Sequence, residues 1–446
     1  MAAAPFVPAS DAPTRARFGV IYFGIALAVI QYIDRVCISW AMPDIRTSLD
    51  IAGPEHDQAI GYVFSAFTLA YALFEIPTGW LGDRFGPRKT LVRVVLWWSL
   101  FTAATGWVSG LAALIVVRFL FGVGEAGCFP NLTRAFSMWL PPAEKSRAQS
   151  ILWLCARWGG ALTPVLVWAV LEHVSWRATF GVFACLGLVW AWFFARWFRD
   201  EPKDHPSVNA AEWALLAGNP PVARHDRVPW KTFLASRTTW LLWAQYFFFS
   251  YCWYFYITWL SKFLKDEYGG SHSKVVLAIL AGVPLLGGGF GNLIAGALMP
   301  HLTRWTGSLR AARRLLACGG FGLAALVFLF PAHHLHEPLA VMTAMGLASL
   351  FGDLSMTSSW SACMDVGGKF SGTYSGAMNM MGNLGGALGP VVVGYLLVST
   401  NQDWAVVFNV SAGVYLLGGL CWLFIDPVTP LLPEETPSAH GAAVSD

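Results

Sequence analysis

The sequence predicts an all-α integral membrane protein with about twelve transmembrane helices in two pseudo-repeated six-helix halves. Of its 446 residues, 56% are hydrophobic and 12% are charged, whereas soluble proteins carry roughly 25% charged residues. Apolar runs of roughly 20 residues recur, each long enough to cross a bilayer as a helix. Two short patterns also recur in the same order in both halves. Because barrel strands are short and alternate apolar with polar residues, these long runs favour helices.

Twelve apolar runs define the predicted spans. Those of the first half lie at 18–42, 58–80, 89–108, 111–133, 147–171 and 177–198. Those of the second half lie at 239–263, 275–299, 313–331, 339–362, 372–398 and 404–425. A polar, proline-rich segment separates the two sets. We therefore expect an N-terminal tail (1–17), a six-helix bundle (18–198), a linker loop (199–238), a second six-helix bundle (239–425) and a C-terminal tail (426–446).

The basic residues predict the orientation in the membrane. They cluster before the first span, between the second and third, between the fourth and fifth, around the linker, and between the eighth and ninth. If the spans alternate, all these loops fall on one side, which the positive-inside rule makes cytoplasmic. Both predicted tails would then be cytoplasmic. The N-terminal tail has no short apolar core followed by a cleavage site, so no signal peptide is predicted.

The two halves contain related patterns. "GGALTPV" at 159–165 resembles "GGALGPV" at 385–391, and "WRATFGV" at 176–182 resembles "WAVVFNV" at 404–410. Small-residue patterns recur in membrane helices for packing reasons, so either match alone is weak. Together, in the same order, they indicate a duplication with parallel orientation. This is the arrangement expected of a transporter with a substrate site between two six-helix halves.

The loop "GWLGDRFGPRKTL", 79–91, lies between the second and third spans. It resembles the signature loop of the major facilitator superfamily. Its glycines permit a tight turn and close helix approach, and its charges can latch one conformation and release in another. The alternative is a merely solvated basic loop. The predicted gating residues are Gly79, Asp83, Arg84, Gly86 and Arg88.

Six ionisable residues inside the apolar runs are the candidates for a functional role: Asp34, Arg35, Arg118, Glu125, Arg157 and Asp353. A charge at a helix centre costs about 2.5–3.5 kcal/mol on insertion scales, and such residues usually face a cavity and have a function. Asp34 and Arg35 are adjacent, so they point about 100° apart and pair poorly with each other. Arg118 and Glu125 share a helix face but are separated by about 10 Å along the axis. A pathway of several ionisable groups fits this spacing better than one tight pair.

A second resemblance narrows the family. "QYIDRVCISWAMP", "LFEIPTGWLGDRFG", "RFLFGVGEAGCFP" and "SGAMNMMGNLGGALGP" are similar to segments of the anion:cation symporters, which include bacterial hexuronate, galactonate and glucarate transporters. The resemblance implies that Arg35 binds the substrate carboxylate. It also implies that Asp34 and Glu125 carry protons, modulated by Arg118. The other residues expected at the sugar-acid site are Tyr32, Tyr71, Trp360 and Asn379.

Two residues depart from that family's pattern. Glu75 stands where glutamine is common, and Arg157 stands where some sugar-acid members have a neutral polar residue. We include Arg157 among the substrate-binding residues, because it leaves room for a second acidic group on the substrate. For Asp353 a structural role is equally open, since nearby hydroxyls could satisfy its carboxylate.

These residues predict transport of an organic anion by alternating access, and the resemblance implies proton-coupled uptake of a hexuronate, hexonate or aldarate. Alternatives are import of tartrate or an aromatic acid, and drug or metabolite efflux by proton antiport. A membrane enzyme is disfavoured, because the sequence has no Ser-His-Asp grouping, nucleotide loop or metal-ligand run. The resemblance implies a monomer in the bacterial inner membrane. No cofactor, metal or nucleic-acid partner is expected, and the eight cysteines and the histidines at 333, 334 and 336 are not predicted to bind metal.

Overall fold

The structure, a computed structural model, describes residues 12–51, 57–220, 227–268, 270, 276, 280–333 and 338–432. Most of both predicted tails, and the side chains of the three clustered histidines, lie outside the described residues. Within the described part the chain forms helices joined by short turns, and no strand occurs there. The predicted all-α fold is confirmed.

Seven helices form the first half. They are α1 (Phe18–Ser48), α2 (Asp57–Phe85), α3 (Pro87–Thr105), α4 (Leu111–Glu125), α5 (Cys128–Trp139), α6 (Pro142–Leu171) and α7 (Trp176–Trp197). The fourth predicted span (111–133) therefore consists of two helices, α4 and α5, with a break at 126–127. Helix α5 continues beyond the predicted end of the span, to Trp139. All twelve residues of α5 are buried. At the break, a Cβ on Gly127 would lie 2.8 Å from the Val94 side chain, so glycine allows α3 to approach closely.

The linker and the second half contain nine helices in the described residues. They are α8 (Ala210–Leu216), α9 (Trp230–Ala235), α10 (Arg237–Thr258), α11 (Leu260–Tyr268), α12 (Val283–Thr306), α13 (Leu309–His333), α14 (Pro338–Gly367), α15 (Ser371–Ser399) and α16 (Trp404–Phe424). Helix α8 packs beside the start of α1 through Glu212. This fully buried carboxylate accepts hydrogen bonds from the Arg17 backbone N–H (3.0 Å) and from the Thr14 hydroxyl (2.5 Å).

Twelve helices of at least 15 residues occur in the described chain, six in each half. By length and hydropathy alone, seven described stretches qualify as membrane spans. One of them, Pro338–Ser399, is 62 residues long and contains both α14 and α15.

Helices α2 and α6 make most of the contacts between the halves. Helix α2 packs against α15, and α6 packs against α12 and α14. Close approach at the first contact depends on Gly376, where a Cβ would lie 2.6 Å from the carbonyl oxygen of Glu75. These contacts bring ionisable residues of the first half against polar residues of the second half.

Candidate functional site

A cavity of about 60 Å³ is lined by residues of both halves. The first half supplies residues of α1, α2, α5 and α6, and the second supplies residues of α10, α14 and α15. Five predicted substrate-binding residues line this cavity: Tyr32, Arg35, Tyr71, Arg157 and Asn379. Much of the remaining wall is aromatic. Aromatic walls with a few convergent polar groups are typical of small-molecule sites.

Arg35 presents a partly free guanidinium to the cavity. Its Nε donates to Oε1 of Glu125 at 3.1 Å, while the buried Nη2 has no hydrogen-bond partner among the described residues. The guanidinium carbon lies 4.7 Å from the Tyr71 ring centroid and 5.2 Å from that of Phe67. The side chain is 26% exposed, whereas that of Glu125 is fully buried. Arg35 therefore has a fixed position and unused donors for a bound anion.

Asp34 and Arg118 lie in the protein interior beside this pair. Both carboxylate oxygens of Asp34 are buried and accept no hydrogen bond from the residues that the structure describes. Its electrostatic neighbours are Glu125 and Arg118. The Arg118 guanidinium stacks over Phe121 at 4.4 Å, and its buried Nε has no hydrogen-bond partner in the described chain. The structure thus brings Asp34, Arg118 and Glu125 together with Arg35, as a cluster rather than as two separate pairs.

Arg157 of α6 forms an ion pair with Asp353 of α14, across the two halves. Its Nη2 and Nε donate to the same oxygen, Asp353 Oδ1, at 2.9 and 3.3 Å. Asn292 Nδ2 donates to that oxygen at 3.0 Å. Trp253 stacks on the guanidinium at 4.2 Å. The main partner of Asp353 is therefore a cation, not the hydroxyl groups considered from the sequence.

Glu75 is a second polar contact between the halves. It is fully buried in α2 and accepts hydrogen bonds from the Asn379 and Asn383 side-chain amides of α15. Asn383 also lines the cavity and accepts a bond from the Tyr254 hydroxyl at 3.0 Å. The sequence prediction omitted Asn383, although it follows Asn379 by four residues, the spacing that places two side chains on one helix face.

Trp360, the sixth predicted substrate-binding residue, lies behind the cavity wall. It is fully buried, and its Nε1 donates to the Tyr246 hydroxyl at 3.2 Å. Its ring centroid is 5.2 Å from that of Trp153. Tyr246 and Trp153 both line the cavity, so Trp360 supports two wall residues. A direct role for Trp360 in substrate binding stays a prediction.

The predicted gating loop contacts the second half at the predicted cytoplasmic side. Asp83 accepts hydrogen bonds from the backbone N–H groups of Gly372 (2.9 Å) and Thr373 (2.6 Å), and from the Thr373 hydroxyl (2.6 Å). These N–H groups belong to the first turn of α15, where unpaired donors and the helix dipole favour a negative charge. Arg134 lies 3.5 Å from the carboxylate. At Gly79 a Cβ would collide with the Gly372 carbonyl.

Gly86, Arg88 and Arg84 complete this loop. Gly86 has φ of +86°, and a Cβ there would lie 2.5 Å from the Asp200 carboxylate, which accepts from the Arg88 backbone N–H at 2.9 Å. Arg88 also donates to the Ala195 carbonyl. Arg84 instead stacks on Trp80 at 5.1 Å. Gly86 and Arg88 therefore contact the segment around the end of α7.

A second ionic contact near this side was missed by the sequence prediction. Asp365 of α14 pairs with Lys145 of α6 at 3.1 Å and with Arg313 of α13 at 2.8 Å. Lys145 is one of the basic residues between the fourth and fifth predicted spans, and the sequence analysis predicts no acidic partner for it. Lys145 and Asp365 are 220 residues apart, so no local pattern could have paired them.

The family model described as "Major Facilitator Superfamily" matches residues 24–390 of this chain. The chain belongs to this superfamily. It is therefore a multi-pass membrane transporter rather than an enzyme. Its fold resembles that of the proton:xylose symporter XylE (TM-score 0.74, 10% identity) over 93% of this chain and 97% of the other. The human organic anion transporter MFSD10 matches with a TM-score of 0.68 and 15% identity, over 92% and 100%.

Several named transporters match nearly the whole length of this chain. A probable sulfoacetate transporter of Cupriavidus necator, SauU, is 34% identical over 93% of this chain and 94% of its own length. The D-galactonate transporter of Escherichia coli is 31% identical over 93% and 96%. A probable galactarate/D-glucarate transporter of E. coli, GudP, is 30% identical over 87% and 89%. The predicted resemblance to the anion:cation symporter family of the major facilitator superfamily is confirmed.

Proposed function

We propose that this protein takes up a small organic anion, coupled to protons, by alternating access between its two halves. The observation that carries the proposal is Arg35, whose guanidinium lines the cavity with donors not used by Glu125. Arginine suits a carboxylate because its planar fork can donate two parallel hydrogen bonds. Residues of both halves line the same cavity, as alternating access requires.

Proton coupling follows from the acidic groups around Arg35. Burial favours the protonated form of a carboxyl group, while a nearby guanidinium favours the ionised form. When a substrate anion binds Arg35, it offsets the positive field that acts on Glu125 and Asp34. The two acids then take up protons more readily. Anion and proton would thus enter the cavity together and leave it together on the cytoplasmic side.

The substrate class is proposed from the cavity wall and the relatives. Tyr32, Tyr71, Asn379 and Asn383 supply hydroxyl and amide groups suited to sugar hydroxyls. Relatives are named as galactonate and galactarate/D-glucarate transporters, which supports a sugar acid. A second candidate is a short sulfonate-bearing acid, which the 34% identical sulfoacetate relative favours. The protein would act as a monomer in the bacterial inner membrane, with both termini cytoplasmic.

The test is uptake of labelled acids into proteoliposomes containing the full-length protein. The panel contains galactonate, glucarate, glucuronate, galacturonate, tartrate, phthalate and sulfoacetate. We expect one acid or one related group to accumulate. Arg35→Lys should reduce its uptake at least about tenfold, because lysine cannot form the paired hydrogen bonds and charge-assisted bonds are worth roughly 1.5–3 kcal/mol. Arg304→Gln, at an exposed arginine outside the cavity, serves as the control.

Two results would contradict the proposal. One is normal uptake by Arg35→Lys, which would remove Arg35 from substrate binding. The other is uptake of no acid together with proton-driven export of a cationic dye, which would favour the efflux alternative.

A further inference from the structure

We propose that Arg157 is a second anion-binding group in the cavity, so that the site selects small acids with an anionic group at each end. Arg35 would hold one end and Arg157 the other. The fitting substrates are short dicarboxylates and sulfocarboxylates. This inference rests on the proposed function, because it assumes that Arg35 binds the first anionic group.

The bonding of Arg157 leaves one edge of its guanidinium unused. Asp353 Oδ1 accepts from Nε and Nη2, which form the side edge of the group. Nη1 makes no hydrogen bond to a residue that the structure describes, and Arg157 is among the residues that line the cavity. Nη1 and the second hydrogen of Nη2 form the end edge, whose geometry suits a carboxylate or sulfonate.

Asp353 acts as a positioning residue for Arg157. Its Oδ1 accepts three hydrogen bonds, two from Arg157 and one from Asn292 Nδ2. Its Oδ2 is buried without a hydrogen-bond partner in the described chain. At Gly288 a Cβ would collide with this oxygen. The carboxylate is thus enclosed on the side away from the cavity and orients the guanidinium, which Trp253 covers on one face at 4.2 Å.

The cavity offers two separate positions for an anionic group. Each lining arginine has one carboxylate partner, Glu125 for Arg35 and Asp353 for Arg157, and each keeps donors that its partner does not use. A monoanion can occupy only one of these two positions. Tyr32 lies beside the Arg35 guanidinium, whose carbon is 5.7 Å from its ring centroid, and its ring packs against α6 at Gly160, three residues from Arg157. Both arginines line the same cavity of about 60 Å³, so a short diacid can contact both.

The experiment compares matched acids that differ only at one end. Glucarate and gluconate share a six-carbon chain with a carboxylate or a hydroxymethyl group at the second end. Sulfoacetate and isethionate differ in the same way beside a sulfonate. Each is used as a competitor against uptake of the labelled substrate in proteoliposomes. We expect the diacid of the pair that fits to compete at least about tenfold better than its monoacid, as a charge-assisted bond implies.

Four variants isolate the arginine. Arg157→Gln should abolish the preference for the diacid, because competition by the diacid falls to about that of the monoacid. Arg157→Gln alone leaves the buried Asp353 carboxylate without its cation, which destabilises the fold. The double variant Arg157→Gln/Asp353→Asn avoids this, because it also removes the charge of the carboxylate. Asp353→Asn alone should keep the preference, since asparagine can still accept from Arg157 and removes a competing negative charge. Arg304→Gln is the arginine control.

The outcomes separate this inference from the proposed function. The quantity compared is how much better the diacid competes for uptake than its monoacid. If the wild-type protein transports anions and this ratio is the same in Asp353→Asn and in the double variant, Arg157 is not an anion-binding group. A wild-type protein that prefers the monoacid also overturns the inference. If the wild-type protein transports no acid, the proposed function itself fails.

Discussion

Glu75 places a carboxyl group between the halves where uncharged glutamine would preserve most of the same contacts. It is fully buried and accepts from Asn379 and Asn383. When it is ionised, it adds a negative charge next to a cavity that is proposed to bind anions. Its ionised form therefore opposes binding, and its protonated form does not.

We predict that Glu75→Gln weakens the dependence of substrate affinity on pH. In the wild-type protein, the apparent affinity should fall as rising pH ionises Glu75, because its negative charge lies beside the bound anion. In the variant this fall should be about tenfold smaller, the effect of removing one close charge. The measurement is concentration-dependent uptake over a pH series, with the exposed Glu172→Gln as control. An identical pH series for the variant and the wild-type protein would show that Glu75 does not act on the substrate.

At the residue scale, the sequence identified which side chains are unusual but not what they contact. The cost of burying a charge singled out Arg157 and Asp353 separately. That they pair could not be deduced, because they lie 196 residues apart and on different halves. Arg35 and Glu125 are likewise 90 residues apart. Side-chain pairing across helices depends on the packing angle and rotation of each helix, which local sequence does not specify.

At the element scale, the first turn of α15 depends on a residue from the other half. Asp83 accepts from two backbone N–H groups and one hydroxyl there. Removal of a charge-assisted buried hydrogen bond costs about 1.5–3 kcal/mol, a factor of about 10 to 150 in an equilibrium. The contact is therefore strong enough to shift the balance between the closed and open forms of this side.

We predict that Asp83→Asn speeds backbone hydrogen exchange at 371–374 at least about tenfold, because the amide accepts more weakly than the carboxylate. The measurement is hydrogen–deuterium exchange of the full-length protein, followed by peptide mass spectrometry. Asp204→Asn, at an exposed position of the linker, is the matched control. Unchanged exchange of the 371–374 peptide in Asp83→Asn would mean that this contact does not hold the side closed.

Most helices could be located from the sequence, and their ends could not. Long apolar runs gave twelve spans because lipid-facing helices need about 20 apolar residues. The break at 126–127 was missed, although Pro130 lies four residues after Ala126 and has no N–H to donate to the Ala126 carbonyl. Gly127 at the break also allows the close approach of α3. The predicted span also ended at residue 133 and so missed the second half of the buried α5. Its residues contact protein on all sides, so polar residues such as Asn131 and Arg134 occur without interrupting the helix.

At the scale of the whole molecule, the two halves meet through hydrogen bonds and ion pairs that can break and form again. Arg157–Asp353 and Glu75–Asn379 lie at the cavity, while Asp83–Gly372 and Lys145–Asp365 lie at the predicted cytoplasmic side. Two packed bodies joined by such bonds can rock about a central site. The repeated patterns predicted the two-half architecture, since a duplicated sequence tends to fold into a duplicated bundle.

Proton-driven accumulation tests the central claim most directly. Proteoliposomes with the wild-type protein or with Asp34→Asn are given an inward proton gradient and the labelled acid identified by the uptake panel. We predict that the wild-type protein concentrates the acid, that a protonophore abolishes this, and that Asp34→Asn exchanges acid across the membrane without concentrating it. Accumulation that persists with the protonophore, or that is unchanged in Asp34→Asn, would contradict proton-coupled anion uptake through this cavity.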